Sequence, residues 1–328
     1  MVERHDHEQS DPAWLVADPL VSVLMITYNQ EQYLEEAVAS VLAQRTEFAV
    51  EIVLGEDRST DATRTIAFDL QARHPDRVRT LYSAANVGFQ RNARRVLAAC
   101  RGEYVAILEG DDFWSDPTKL QRQIELLRAH PQVGVCMSRG ERLDGAGVRE
   151  RYWDRGADDR LIAMAELVNS FGMLVPTGSI VARAERLRRL PNWVFEAPVL
   201  DVFLFLGVAA PEGALYLARD TVVYRMAAAN NWSSAFARDY ERIKVDHTRR
   251  MLASYALAVA SFGLDPRTLR RLLSGAHHVL AKAALGARRP LAFLDHARRI
   301  HPAYLAHRLR QRLGQSRRAR KIPFISGG

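Results

Sequence analysis

Four apolar runs in the first third of the chain are separated by polar or acidic loops and helical patterns, and that repetition leaves few folds open. Residues 21–26 run into Thr27-Tyr28-Asn29-Gln30 and then a helical pattern over 33–42, with Leu34, Val38, Val41 and Leu42 on one face. Residues 51–54 end in Gly55-Glu56-Asp57-Arg58-Ser59-Thr60-Asp61 before a helix over 62–72, for which Ser59 or Thr60 is the expected cap. Residues 78–82 lead through Asn86-Val87-Gly88 to a helix over 90–99, and the fourth run, 104–108, follows. Strand, polar turn and helix in repetition predict an α/β fold with a mainly parallel sheet flanked by helices. Sheets of that kind bind ligands at the carboxyl edge of their strands.

The fourth run emerges into Glu109-Gly110-Asp111-Asp112-Phe113-Trp114, three carboxylates within four positions. Like charges so placed repel one another and are costly to desolvate unless a cation neutralises them. A hard divalent ion such as Mg²⁺ or Mn²⁺, shared with substrate phosphates, is the usual solution. The plain alternative is a solvated acidic turn before a helix starting near Pro117, with Asp116 as its N-cap.

The ordered series VSVLMITYNQEQYLEEAV, EIVLGEDRSTDAT and NVGFQRNARRVLAACRGEYVAILEGDDFWSDPTKLQRQ resembles the nucleotide-sugar half of glycosyltransferase family 2, densely over 19–135. A second block, LPNWVFEAPVLDVFLFLGVAAPEGALYLARDTVVYRMAAANNWSSA, resembles the acceptor half of a bacterial subgroup that builds surface polysaccharides. The resemblance implies a GT-A fold, Rossmann-like, here with a C-terminal helical extension. It also implies that Thr27, Asn29, Glu31 and Asp57 hold the nucleoside, with Gly88 and Asn92 beside the donor. Asp57 is suited to accept from a base N–H, and Glu109 or Asp111 from ribose hydroxyls. Asp111 and Asp112 are the implied metal pair, the ion acting as a Lewis acid toward the departing diphosphate. For Asp57 the alternative is a carboxylate favoured by a helix N-terminus. Arg91, Arg94 and Arg95 offer charge near the diphosphate, or are simply solvated.

Sugar transfer to a hydroxyl needs a base for the acceptor proton. The family position falls on Asp201, a lone acid in APVLDVFLFLG, with Glu196 the next acid; a helix-start carboxylate without chemistry is the alternative. The chain also departs from its subgroup. Tyr224-Arg225 is followed by Met226 and Ala227, where relatives carry a histidine, and Ala229-Asn230-Asn231 replaces a glycine-rich stretch before Trp232-Ser233. Either water, Asn230 or Asn231 supplies the lost contact, or catalysis is weakened or independent of metal.

The expected organisation is a disordered leader over 1–18, a GT-A domain over 19–235 with donor half 19–135 and acceptor half 136–235, and a helical region with a basic tail over 236–328. In that last region apolar spacing predicts helices over 240–262, 266–285 and 290–313. Cys100 and Cys136 form no CxxC pair, and the leader lacks a signal peptide's apolar core, so the expected location is cytoplasmic. The apolar stretches 199–210 and 252–262 fall short of the about 20 residues that span a bilayer.

Much of the net charge of +8 originates in the arginines from Arg288 onward, set against the single acid Asp295. Such a terminus suits the anionic inner face of a membrane, a solvated face or packing within a homo-oligomer. No nucleic-acid module accompanies the charge. The expectation is an inverting, metal-dependent transferase with a nucleoside-diphosphate sugar, first a UDP-sugar, as donor and a glycan or lipid-linked glycan as acceptor in envelope polysaccharide synthesis. The rival within enzymology, a nucleotidyltransferase, would carry a basic glycine-rich loop where Thr27-Tyr28-Asn29-Gln30 stands. A catalytically silent sugar-nucleotide-binding or scaffold protein of the same fold is the rival from another class.

Overall fold

The computed structural model describes residues 6–169, 175–226, 232–302 and 304–305. In chain order the elements of the first half are β1 (Asp6–Gln9), β2 (Val21–Thr27), α1 (Leu34–Leu42), β3 (Val50–Glu56), α2 (Thr63–Arg73), β4 (Val78–Ser83), α3 (Phe89–Ala99), β5 (Tyr104–Glu109), β6 (Phe113–Trp114) and α4 (Lys119–Ala129). There follow β7 (Val135–Leu143), β8 (Arg149–Tyr152), β9 (Arg160–Ile162), α5 (Met164–Asn169), β10 (Val181–Arg183), α6 (Ala184–Arg188), α7 (Leu200–Ala209), β11 (Ala214–Arg225), α8 (Trp232–Phe262), α9 (Pro266–Gly286) and α10 (Pro290–Ala297).

Among the described residues the strands form one sheet in the order β1-β4-β3-β2-β5-β10-β7-β11-β6, with β8 on β7 and β9 on β11. The run β4-β3-β2-β5 is parallel, and antiparallel β10 joins it to β7. Side chains alternate across the sheet. Val21, Val23 and Met25 pack with Leu34, Val38 and Leu120 on one face, while Leu24 and Val53 pack with Val96 and Phe203 on the other. Burial on both faces explains why these strands read as unbroken apolar runs.

The leader departs from expectation. Instead of a disordered tail, Asp6–Gln9 lies antiparallel on β4. Its polar residues find partners there: Glu8 pairs with Arg79 at 2.8 Å, and the His7 ring stacks on Tyr82 with centroids 5.1 Å apart.

The C-terminal helices are not a separate body with a core of their own. The proposed boundary at 235/236 falls inside α8, and Tyr255, Ala258, Leu264 and Leu269 join the apolar cluster built around α7. Gly207 of α7 makes room for this docking, since a Cβ there would lie 2.8 Å from the Phe262 ring. The apolar stretch around α7 is thus a core helix, buried at most of its positions, and no described helix is long and apolar enough to cross a membrane. The helix expected over 290–313 is interrupted: α10 ends at Ala297 and helical residues resume at Pro302. Pro302 has no N–H to continue it, and Ser274 Oγ takes the His301 N–H at 2.9 Å. Residues 306–328, most of the basic tail, lie outside the described residues, as do Ala227, Asn230 and Asn231.

Candidate functional site

The parallel strands deliver their loops to one edge, and two of those loops are tied to each other. Asn29 sits at φ +54°, a left-handed conformation that asparagine tolerates better than most residues. Its backbone N–H donates to Ser59 Oγ at 3.1 Å, and its Oδ1 accepts from Thr60 N at 2.8 Å. Glu31 Oε2 accepts from Ala62 N at 2.8 Å, and the Gln30 N–H donates to Thr63 Oγ1 at 2.7 Å. These bonds, with Asp61 Oδ1 accepting from Thr63 N at 3.0 Å, occupy donors at the start of α2. Ser59 and Thr60, the expected caps, serve the Asn29 contacts instead. Asn29, Gln30, Glu31, Thr60 and Asp61 line a pocket of about 190 Å³.

Asp57 bridges to a third loop. Its two carboxylate oxygens accept from Val87 N at 2.8 Å and Gly88 N at 2.9 Å, and its carbonyl accepts from Asn86 Nδ2 at 3.0 Å. Burial raises its pKa. Gly88 carries the donor-side position with φ +84°, and nothing lies within 4 Å of where its Cβ would stand. Asn92 does not face that space. It is 1% exposed, donates to Gly55 O at 2.8 Å and accepts from Arg95 Nε at 2.8 Å. Arg95 in turn donates to Glu56 O at 2.7 Å, so this pair braces β3 against α3. Arg94 reaches Asn192 at 2.9 Å, and Arg91 is exposed.

The acidic residues gather where β5 ends. Asp111 and Asp112 are 6% and 2% exposed, while Glu109 keeps one side partly open. Burial, then Asp111 and Asp201, push Glu109 up to about 8, and burial pushes Asp111 to about 6. Asp112 is raised well above the carboxylate range by burial and by Asp111 and Glu109. Beside them, Gln30 Oε1 is buried without a partner, as is Thr27 Oγ1. Gly110 lets these atoms approach, because a Cβ there would lie 2.5 Å from Gln30 Oε1 and 2.9 Å from Thr27 Oγ1.

Arg225, at the end of β11, is a residue that sequence reasoning missed. Its backbone N–H donates to Asp112 Oδ1 at 2.9 Å and its Nη1 to Asp111 O at 2.6 Å. Nη2 pairs with Glu36, and the guanidinium lies over the rings of Phe113 at 4.6 Å and Tyr33 at 5.0 Å. The pairing of β11 with β6 brings it there, matching Val223 to Phe113. The motif Tyr224-Arg225 was visible in the sequence, but this role was not, because it depends on that long-range register.

Asp201 lies in the first turn of α7, half-buried, with Oδ1 accepting from Val202 N at 2.9 Å. Burial raises its pKa. Its charge is felt by Glu109, Tyr152 and Tyr255, so the fold brings it to the acidic edge from the other half of the chain. Glu196 is exposed.

The oxygen donors of Asp111 and Asp112 are of the type a hard divalent ion takes, and their raised pKa values are what a cation would relieve. Among the described residues no group of three His, Cys, Asp or Glu side chains forms a metal cluster. The pair fits an ion completed by ligand oxygens better than a closed protein cage.

A model of glycosyl transferase family 2 matches residues 22–184. An uncharacterized glycosyltransferase of Nostoc sp. is 40% identical over 236 residues, covering 68% of this chain and 69% of that protein. The match to uncharacterized mycobacterial proteins, at 36% identity over 66% of this chain, spans 61% of their length. In fold, the chain is similar to S. aureus TarS in complex with UDP-GlcNAc, with TM-score 0.61 and 16% identity over 84% of this chain and 79% of that one. The mannosyltransferase PcManGT from Pyrobaculum calidifontis, in complex with GDP-Man and Mn²⁺, gives TM-score 0.52 and 20% identity over 88% and 83%.

Proposed function

The chain belongs to glycosyl transferase family 2, and we propose that it transfers one sugar, with inversion, from a nucleoside diphosphate donor to a glycan or lipid-linked glycan acceptor in cell-envelope polysaccharide synthesis. The observation that carries this reading is that Asp201, from the acceptor half, lies near enough to raise the pKa of Glu109, which stands beside Asp111 and Asp112 at the end of β5. Separate acids from two halves suit two tasks, neutralising a leaving diphosphate and taking a proton from an incoming hydroxyl.

The nucleoside occupies the edge built from Thr27, Asn29, Glu31 and Asp57. Thr27 Oγ1 and Gln30 Oε1 are buried and unpartnered there, and buried polar atoms of that kind gain by pairing with a ligand's polar groups. Relatives in fold seen with UDP-GlcNAc and GDP-Man make UDP- and GDP-sugars the donors to test first. Asp111 and Asp112 would hold a divalent ion, which when bound would supply Lewis-acid stabilisation of the departing diphosphate. Arg225 fixes the Asp111-Asp112 turn from below by its bonds to both residues. Asp201 takes the acceptor proton. Its carboxylate, oriented by the Val202 N–H, costs little to reorganise as the hydroxyl attacks.

Asp201→Asn keeps the size of the side chain and removes its basicity, so transfer should fall by about 10² to 10⁴. Donor affinity by calorimetry should be nearly unchanged, because the nucleoside is held by the other half. Wild-type transfer by Asp201→Asn, or loss of donor binding with it, would move the base elsewhere, with Glu196 next. A wild-type chain that binds donor but neither transfers nor hydrolyses it would favour a silent binding protein.

A further inference from the structure

Helices α9 and α10 form an antiparallel hairpin that ends in a bare tip. Its pairing is fixed by Arg270 Nη2 donating to Arg298 O at 3.3 Å, His277 Nδ1 facing His296 Nδ1 at 3.3 Å and His301 N donating to Ser274 Oγ at 2.9 Å. The turn at 287–289 is therefore the far end. It is tightly made, with Ala287 N donating to Ala283 O at 3.0 Å, Arg289 N to Ala284 O at 2.9 Å, and Arg288 at φ +55°.

That tip displays leucines where packing does not use them. Leu285 is 64% exposed, Leu291 82% and Leu294 59%. Leu291 and Leu294, three apart, share one face of α10. Elsewhere on α9, Leu269, Leu280, Ala281 and Ala284 are all buried. Scattered surface leucines are ordinary, but three around one turn form a patch. Between them stand the exposed Arg288 and Arg289, and from Lys282 to Leu294 the sequence contains no acid.

We propose that this hairpin tip is a membrane-docking element, its leucines entering the interface of an anionic bilayer while Arg288 and Arg289 pair with lipid phosphates. Every residue from 285 to 291 is exposed, which suits a deformable surface. Exposed leucines beside arginines, with the nearest acid, Asp295, paired to Arg298 and Arg299, match the two halves of an anionic lipid interface, apolar depth below phosphate charge. A second copy meeting the tip symmetrically would bring its own Arg288 and Arg289 against these, a repulsive contact. The remaining sequence, to Gly328, adds arginines and a single acid, Asp295, so its charge acts in the same direction. The proposal deepens the reading of a lipid-linked acceptor, because a docked tip would hold the enzyme at the surface where such an acceptor resides.

The test uses the full chain with vesicles of phosphatidylcholine alone or with roughly 30% phosphatidylglycerol. Leu291→Cys carries an environment-sensitive fluorophore, feasible because Cys100 and Cys136 are both buried. The expected result is sedimentation with the anionic vesicles and a blue shift of the probe. Leu291→Asp combined with Leu294→Asp should cut the vesicle-bound fraction about tenfold or more with all arginines retained, at unchanged melting temperature and unchanged donor affinity. Absence of binding by the full chain, an unshifted probe, or binding by the double variant equal to wild type would overturn the proposal. So would a change in the chain's mass in solution caused by the double variant, since the tip would then be a self-association face. Donor affinity measured on the same preparations keeps this failure distinct from failure of the proposed activity.

Discussion

Asp57 shows how a residue expected to touch ligand also carries structure. Its two oxygens receive Val87 N and Gly88 N, so the carboxylate holds the loop before α3 against the end of β3. In Asp57→Asn the amide nitrogen would face one of those N–H groups, leaving a donor unpaired. The expected cost is about 1–2 kcal/mol, read as a lower urea midpoint with an unchanged slope. An unaltered midpoint would show that the two bonds contribute little. The position of Asp57 after its strand was legible in the sequence, but its partners were not, because they belong to a loop thirty residues away. Asn92 makes the same point in reverse: its family position suggested the donor, whereas its amide is spent on Gly55 and Arg95. Ordinary helix periodicity places Arg91 and Arg95 on one face, but does not reveal that Arg95 is drawn inward by Glu56 O.

At the scale of elements, unbroken apolar runs and helical period located β2 to β5 and the starts of α1 to α4 within a residue or two, because the strands are buried on both faces and the helices on one. The antiparallel strand β10 and the pairing of β11 with β7 and β6 were not legible, since register there is set by contacts distant in sequence. Helix α4 carries a consequence of that assembly. Lys119 is fully buried, with Nζ donating to Gln123 Oε1 at 2.7 Å and lying 4.3 Å from the Trp114 ring centroid. Burial pulls its pKa down to about 7. Below that pH the ammonium is charged in both folded and unfolded chains, and the folded state bears the full cost of burying it. Between about 7 and the unfolded value near 10.4, only the unfolded chain keeps the proton, so this group makes stability rise with pH. Lys119→Met lacks the effect. Its stability relative to the parent should fall by roughly 1–3 kcal/mol from about pH 6.5 to about pH 9 in urea melts. A difference that does not vary with pH would mean that Lys119 is not desolvated as described.

For the molecule as a whole, one sheet spans both halves and sets their loops around a common edge. The donor half was readable because its strand-loop-helix units are local. The acceptor half was readable only at Asp201, and the C-terminal helices only as helices, since their docking on α7 through Phe262 and Tyr255 depends on small and aromatic residues far apart in sequence. The central claim is that this edge binds a nucleoside-diphosphate sugar through a divalent ion held by Asp111 and Asp112. The most direct measurement is calorimetry of the wild-type chain with UDP- and GDP-sugars, with Mn²⁺ and with chelator, repeated on Asp111→Asn and Asp112→Asn. The account expects binding of at least one donor with Mn²⁺, weakened about tenfold or more by chelator and by at least one of the substitutions, at unchanged folding. No binding of any donor, or binding indifferent to metal and to both substitutions, would contradict it.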